Sequence, residues 1–416
     1  MYMHTKAIPA LVLLLLVSGV SVGAPGLTVT GRVFDSSGRP ISDATVMVYH
    51  AGVLNGYSTF CPSCYRDCGK RTKTDAAGNY VISKLDSRLW FELLVVRDGY
   101  APEIIKIKDP SAGSTPVATL KLRPPNLDPS HVVKGRVVDR NGQVVRDAVV
   151  TVVGVEDQHG TLYGTFPGLD PLAATDRNGD FEIVDEKPAK RMLVTVEART
   201  LAARFVVLVT GPQPQEIVLS RGAAVKGRLV QNGKPVGDAE IGLIAQLTGG
   251  FRQALKIVGD PYPEMRIGTQ SDGTFVISDV PEGVHWFVYP KMESVAPRGA
   301  SEAKTCSTTK PGEIVDVGDI QLGPGYRLQG KVTLSDAKPI PDGMRVILSS
   351  MRTMDSQIAL LDKDGRFTFV GLAKGEYGIS PAVKGYGLPT PEPIVTSVER
   401  DRDDFVISLS PEQPRR

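Results

Sequence analysis

Histidine is scarce in this sequence, with five in 416 residues, and that scarcity narrows the chemistry open to it. The five are His4, His50, His131, His159 and His285. None has Glu three positions later and none stands in a His-Glu-x-x-His pattern, so the helical zinc motifs built from such pairs are missing. A catalytic zinc needs at least three converging protein ligands, and these histidines form no local set. No cofactor is expected. Excess charge is lacking too, since 48 Lys and Arg face 46 Asp and Glu for a formal +2. A surface that tracks phosphates shows as clustered basic excess, so there is no reason to expect nucleic acid as a partner. Aromatic residues make up only 6%. No segment sustains a helical apolar period. What is abundant is Gly, at 43, and Pro, at 31; without a collagen-like period this points to many turns and many short strands.

The one strongly apolar run lies near the N-terminus. Lys6 precedes Ala10-Leu-Val-Leu-Leu-Leu-Leu-Val-Ser-Gly-Val20, and Val22-Gly-Ala24 places short side chains at −3 and −1 of a cleavage site. The run is short for a bilayer span of ~20 residues. Residues 1–24 are therefore expected to be a cleavable signal peptide, with no membrane span in the mature chain. The product is then secreted, periplasmic or at the cell surface. No Cys follows the run to carry a lipid. A Gly19-Val-Ser-Val-Gly23 match to the nucleophile-elbow pattern falls inside this segment and loses its meaning.

Self-comparison reveals four repeats. They begin at Val29-Thr-Gly-Arg-Val-Phe-Asp-Ser-Ser-Gly-Arg-Pro-Ile-Ser-Asp-Ala, Val133-Lys-Gly-Arg-Val-Val-Asp-Arg-Asn-Gly-Gln-Val-Val-Arg-Asp-Ala, Val225-Lys-Gly-Arg-Leu-Val-Gln-Asn-Gly-Lys-Pro-Val-Gly-Asp-Ala and Leu328-Gln-Gly-Lys-Val-Thr-Leu-Ser-Asp-Ala-Lys-Pro-Ile-Pro-Asp-Gly. The anchoring glycines, Gly31, Gly135, Gly227 and Gly330, lie about a hundred residues apart, too far for solenoid repeats of about 20–45 residues. Each repeat continues into an Asx-Gly turn and an aromatic: Thr74-Asp-Ala-Ala-Gly-Asn-Tyr, Thr175-Asp-Arg-Asn-Gly-Asp-Phe, Gln270-Ser-Asp-Gly-Thr-Phe and Leu361-Asp-Lys-Asp-Gly-Arg-Phe. Asp, Asn and Gly tolerate the left-handed backbone that such turns require. Period-2 alternation then sends Tyr80, Phe181, Phe275 and Phe367 inward, with Ile82, Ile183, Ile277 and Phe369 two residues on. Val33, Val137, Leu229 and Val332 also face the core. The mid-strand Gly is expected at a bulge or a close backbone approach. Ala44, Ala148 and Ala239 begin the returning strand, and Gly343 stands there in the fourth repeat. The fold class is all-β, four tandem β-sandwiches. Their expected bounds are 27–123, 131–221, 223–323 and 326–411.

These motifs resemble the carboxypeptidase regulatory-like domain. Gly371-Leu-Ala-Lys-Gly-Glu-Tyr377 and Lys384-Gly-Tyr386 in the fourth repeat look like further family elements. The resemblance implies a Greek-key sandwich of transthyretin-like or starch-binding-like shape. It does not imply an activity, because a fold of this kind accompanies many. A carboxypeptidase needs a separate catalytic domain for which there is no room, and the chain is expected not to be an enzyme. Two acidic runs, Asp176-Arg-Asn-Gly-Asp180 and Asp362-Lys-Asp364, start like calcium loops but lack the Gly and Glu at the required positions, and read as hairpin turns. No metal site is expected.

The most distinctive insertion is Phe60-Cys-Pro-Ser-Cys-Tyr-Arg-Asp-Cys68, joined by a distant Cys306. In an exported chain Cys61, Cys64, Cys68 and Cys306 are disulfide candidates, with three connectivities open. Metal and redox readings lack a fourth local ligand and a strand–helix context. The third thiol reaches Cys306 only if the first and third repeats touch. The inter-repeat linkers are short and Pro-rich, which favours an extended rod. Beside a hydrolase, for which no constellation of residues is present, two function classes follow. One is a structural, adhesive or protein-interaction module of the cell envelope, meeting protein or polysaccharide. The other is carbohydrate binding through exposed aromatics, for which Tyr57, Tyr65, Tyr163 and Tyr262 are candidates, with Trp90 and Trp286 in strand-like runs. Gly154–Thr175 and Ala245–Thr269 are expected to be long contact loops.

Overall fold

The computed structural model describes residues 26–60, 70–112, 115–246, 262–388, 390 and 393–412. The signal-peptide expectation and the segment holding Cys61, Cys64, Tyr65 and Cys68 lie outside the described residues. Strand pairing groups the described residues into eight sheets, and these face each other in pairs over four separate hydrophobic clusters. We refer to the four pairs as units one to four.

Unit one sets the pattern. Its first strand, Leu27–Asp35, lies between Asn79–Leu85, antiparallel, and Val117–Leu120, parallel. The facing sheet runs Arg71–Lys73, Thr45–Val53, Leu89–Val96, Glu103–Ile107. The same central strand between an antiparallel and a parallel neighbour recurs at Val132–Asp139, Ala223–Gln231 and Tyr326–Leu334. Alternation has placed the expected residues inside. Val33, Val137, Leu229 and Val332 are at most 1% exposed, and Tyr80, Phe181, Phe275 and Phe367 are buried with their partners two residues on.

The mid-strand glycine is explained by its neighbour across the sheet. Each one pairs directly with the aromatic of the repeat, Gly31 with Tyr80 and Gly135 with Phe181. A Cβ on Gly31 would come within 2.3 Å of the Tyr80 ring, and one on Gly135 within 2.4 Å of Phe181. The aromatic ring lies across the bare backbone, so a side chain there would displace the ring from the core.

The turns obey a second rule. Asp35, Asp75, Asp176 and Asp362 each accept two backbone N–H bonds at 2.8–2.9 Å from residues two and four positions on. The calcium-like runs are thus turns closed by their own carboxylates. A buried threonine fastens the crossover between the sheets. Thr74, Thr175 and Thr269 accept from the N–H of Ala44, Ala148 and Ala239, and donate to a carbonyl three residues before that alanine.

Unit four differs there. Gly343 does not take the alanine's place. It is exposed, has φ +76°, and occupies the left-handed position held elsewhere by Asp43, Asp147 and Asp238 at φ 51–60°. Met344 takes the core place, and Leu361, whose N–H bonds to the Met344 carbonyl, replaces the threonine. The expected loop Gly154–Thr175 also contains two short strands, Thr161–Tyr163 and Leu172–Ala174, both paired with Val149–Glu156. Ala245–Thr269 includes strand Met265–Gly268.

Candidate functional site: the junctions between units

Sequence position alone separates the four units, yet their polar and apolar side chains meet in four places. Between units one and two, the outward faces of the two larger sheets stack. Met47 and Leu94 press on Val149 and Leu172, with Tyr49, Val96, Ile104 and Ala174 around them. Arg123, at the end of unit one, bonds Asp170 Oδ2 at 2.5 Å and Glu182 at 3.3 Å in unit two, while Asp170 also accepts the Val184 N–H. Burial drives the Asp170 carboxyl above its usual range despite Arg123. Arg71 pairs with Asp147 at the rim. Beside this seam opens a cleft of about 1440 Å³ lined by charges of both signs, among them Arg97, Arg146 and Arg177 and Asp98, Asp176 and Glu216.

Units one and three touch, so units one to three do not form a simple extended rod. The Gly268 N–H of unit three donates to the Ser58 carbonyl of unit one at 2.5 Å, and Tyr57 packs over the same glycine. Burial raises the Tyr57 phenol, and the carboxylates Glu240 and Asp238 add to the rise. Units two and three meet through Arg140 and Glu282 and enclose a cavity of about 120 Å³ lined by Val149, Leu201, Ala203, Tyr262, Met265 and Pro281.

Units three and four are joined by buried charge. The short helix Met292–Val295 leaves unit three and sends Met292 into the core of unit four. Lys291 Nζ lies 2.5 Å from Asp355 Oδ1 and 2.8 Å from Glu264 Oε1. Asp355 Oδ2 accepts the Met292 N–H at 2.7 Å. The Tyr289 hydroxyl donates to Glu264, and Arg352 of unit four stacks on Phe287 at 4.7 Å. Burial works to raise Glu264, but the hydrogen bonds from Lys291 and Tyr289 outweigh it and hold the carboxyl below its usual range. Burial also raises Glu240 and, with Glu264 beside it, the Tyr289 phenol. None of these joining residues was singled out from the sequence. No motif marks them, because Lys291–Asp355 and Phe287–Arg352 span two repeats and Glu264 meets Lys291 and Tyr289 only through the fold of unit three.

The residues that were singled out are scattered. Cys306 sits half-buried on strand Lys304–Thr308, is free, and has its thiol pushed up to about 11 by burial. Tyr163 ends a short edge strand against Gly154. Tyr262 leans on Trp286, ring centroids 5.9 Å apart at 58°. Trp286 is fully buried and donates to Thr308 Oγ1 at 2.8 Å. Trp90 lies over Gly52, edge-on to His50. Among the described residues no three His, Cys, Asp or Glu converge in a metal-binding arrangement, and no helix is long and apolar enough to cross a membrane.

The glycine–aromatic pairing and the parallel closing strand recur in all four units. Residues 28–123 match the profile of the carboxypeptidase regulatory-like domain. No curated protein sequence matches the chain. Among solved structures, a streptococcal ancillary pilin is similar at 14% identity, covering 68% of this chain and 99% of its own, with a TM-score of 0.22. The Bacillus anthracis TIE protein is similar at 10% identity over 93% of this chain and 75% of its own, TM-score 0.20. The major pilin subunit of Bacillus cereus is similar at 10% identity over 68% and 99%, TM-score 0.18.

Proposed function

We propose that the chain is a non-catalytic, exported array of four carboxypeptidase regulatory-like sandwiches, bounded at 27–123, 131–221, 223–323 and 326–411. It serves as a structural or adhesive module of the cell envelope and engages protein or polysaccharide there. The observation that carries this reading is the use made of the buried charged groups. Arg123 and Asp170, and Lys291 and Asp355, are bonded across unit boundaries, and Glu264 holds Lys291 from within unit three. Groups that general acid–base chemistry would need to present to a substrate are here engaged in joining units. The mixed-charge cleft between units one and two is the surface proposed to meet the partner, with the Cys61–Cys68 loop, proposed to be disulfide-pinned, as a second contact.

The aromatics give the carbohydrate reading less support. The ring pairs Tyr49–His50, His50–Trp90 and Tyr262–Trp286 are inclined at 58–84°, not laid out as a flat platform. The test has two parts. N-terminal sequencing of the exported chain should read from Pro25. The purified chain should bind isolated envelope fractions, and protease treatment of the envelope should abolish binding while periodate oxidation of its glycans should not. The reverse pattern would favour the carbohydrate reading, and retention of residues 1–24 would remove the export claim.

A further inference from the structure

Four asparagines in the chain are followed by glycine: Asn55, Asn141, Asn178 and Asn232. Such a pair carries its own chemistry. The glycine backbone nitrogen loses its proton and attacks Cγ of the asparagine side chain. Ammonia leaves, and a five-membered succinimide closes. Water then opens the ring at one carbonyl or the other. The product is aspartate or, with one more carbon in the main chain, isoaspartate. Asparagine is thermolabile in this way, and glycine favours the reaction because no Cβ crowds the attacking nitrogen. In a folded chain two further conditions apply. The glycine N–H must be unengaged, and the asparagine side chain must be free to swing onto it.

Three of the four pairs are protected. Asn141 and Asn178 hold the same place in two turns of unit two, each closed by an aspartate carboxylate. The Gly142 N–H donates to the Asp139 carbonyl and the Gly179 N–H to the Asp176 carbonyl, both at 3.0 Å. The asparagine side chains are themselves bonded to Asp139 Oδ2 and Asp176 Oδ2 at 3.4 Å, and Gly179 is buried. Asn55 stands in the loop that meets unit three. Asp238 Oδ1 would lie 3.7 Å from a Cβ on Gly56. A carboxylate so placed opposes the negative charge that develops on the Gly56 nitrogen.

Asn232 meets every condition. Asn232 and Gly233 alone connect the paired residues Gln231 and Lys234. Their φ angles of 51° and 73° suit a two-residue hairpin turn of type I′. Both are exposed. Among the described residues, neither the Gly233 N–H nor the Asn232 side chain has a hydrogen-bond partner. Nothing stands within 4 Å of a Cβ built on Gly233. The next residue is Lys234, a cation that favours a negative nitrogen beside it.

We infer that Asn232 is a site of spontaneous modification, converting to isoaspartate and aspartate in the folded chain ahead of the other three pairs, with water as the only co-reactant. Each conversion replaces a neutral amide with a carboxylate and takes one unit from the net charge of +2. Isoaspartate also lengthens the main chain between Gln231 and Lys234. The Gln231 side chain donates to the Arg298 carbonyl at 2.6 Å, and Arg298 in turn holds the carbonyls of Gly237 and Asp238. The modification therefore falls where the edge of unit three is tied to the turn after the helix Met292–Val295.

The test is incubation of the purified chain in mildly alkaline heavy-oxygen water, with peptide mapping by mass spectrometry at increasing times. The new carboxylate, labelled by the solvent, should appear first at position 232. Electron-transfer fragmentation should identify isoaspartate there beside aspartate. The initial rate at 232 should exceed those at 141 and 178 at least about tenfold, because their turns must open before the ring can close. Asp176→Ala frees the Asn178 side chain and should raise the rate at 178 about threefold or more, leaving 232 unchanged. In urea the four rates should converge, since only the shared Asn-Gly sequence then remains. Equal rates in the folded chain overturn the inference, as does earlier conversion at 55, 141 or 178. Conversion at 232 in urea but not in the folded chain overturns it as well.

Discussion

The seam between units one and two and the seam between units three and four solve the same problem with opposite chemistry. The first stacks two sheet faces through Met47, Leu94, Val149 and Leu172, and keeps much of its charge at the rim. The second buries Lys291 among Glu264, Asp355 and Tyr289, and adds one apolar plug, Met292. An apolar seam tolerates volume-conserving swaps, and the pH response of this one comes from the single buried carboxylate beside it, Asp170. A buried ion cluster is unforgiving, because removing one member strands the charge of another in low dielectric.

The largest expected effect follows from that asymmetry. Asp355→Ala leaves Lys291 with half its carboxylate partners and the Met292 N–H without an acceptor. Breaking such a buried pair costs about 3–5 kcal/mol. Urea unfolding followed at Trp286, whose ring is fully buried in unit three, should show the midpoint fall and the joint transition of units three and four split. Lys291→Met combined with Asp355→Leu and Glu264→Gln should recover most of the loss, because it removes the whole ion cluster and leaves no buried charge unpaired. An unchanged midpoint in Asp355→Ala would show that Met292, not the ion cluster, holds the joint.

The matching cut at the other seam is Leu94→Ala. Leu94 is fully buried between the two sheets, and deleting a buried leucine side chain costs about 2–5 kcal/mol. Trp90 lies on the same strand, Leu89–Val96, and its fluorescence should report the earlier loosening of unit one. Leu94→Met should be tolerated with less than about 1.5 kcal/mol lost. Equal losses in the two Leu94 variants would mean that the seam is held elsewhere.

These two seams also mark where the sequence could be read and where it could not. The sandwich is local physics repeated four times. Glycine opposite an aromatic, an Asp that closes its own turn, and a period of two all appear within about fifty residues of one another. They could therefore be read as strands, turns and core. Gly343 misled, because one extra residue before Met344 shifts the register, and a glycine at φ +76° looks the same in a sequence as one in a crowded core. The joints were invisible for another reason. Lys291 and Asp355, or Arg123 and Asp170, carry no spacing that relates them. Their meeting depends on how whole units are set against each other, which no local pattern encodes. The contact of Ser58 with Gly268, which departs from the expected rod, belongs to the same class.

A smaller effect should separate the seams by the sign of their pH response. Glu264 is held below the usual carboxylate range in the folded chain. Its stabilisation is fully present above the unfolded range and is lost as pH falls through the folded value. Asp170 is raised, so folding favours its protonated form and its contribution improves as pH falls. Glu240 is also raised and partly offsets Glu264 near the second seam. Acidification should therefore loosen units three and four before units one and two, as read at Trp286 and Trp90. Glu264→Gln should flatten the first response and leave the second unchanged. The same order of loosening in Glu264→Gln would assign the acid sensitivity to another group.

The smallest expected effect lies at the rim of the apolar seam. Arg71 and Asp147 pair across units one and two, yet both side chains remain substantially exposed, at 42% and 27%. Water screens such a pair and two long side chains lose freedom to form it, so exposed pairs are worth about 0.2–1 kcal/mol. Arg71→Ala should shift the Trp90 transition by no more than that, and 0.5 M salt should shift the parent chain about as little, since screening at that strength acts on exposed charges. At the other seam, the same salt should leave the Lys291 cluster nearly untouched, because its members are shielded from solvent. If salt instead loosened units three and four more than units one and two, the Lys291 cluster would have to be open to solvent in solution. The contrast between an apolar and an ionic seam would then reduce to a difference in exposure.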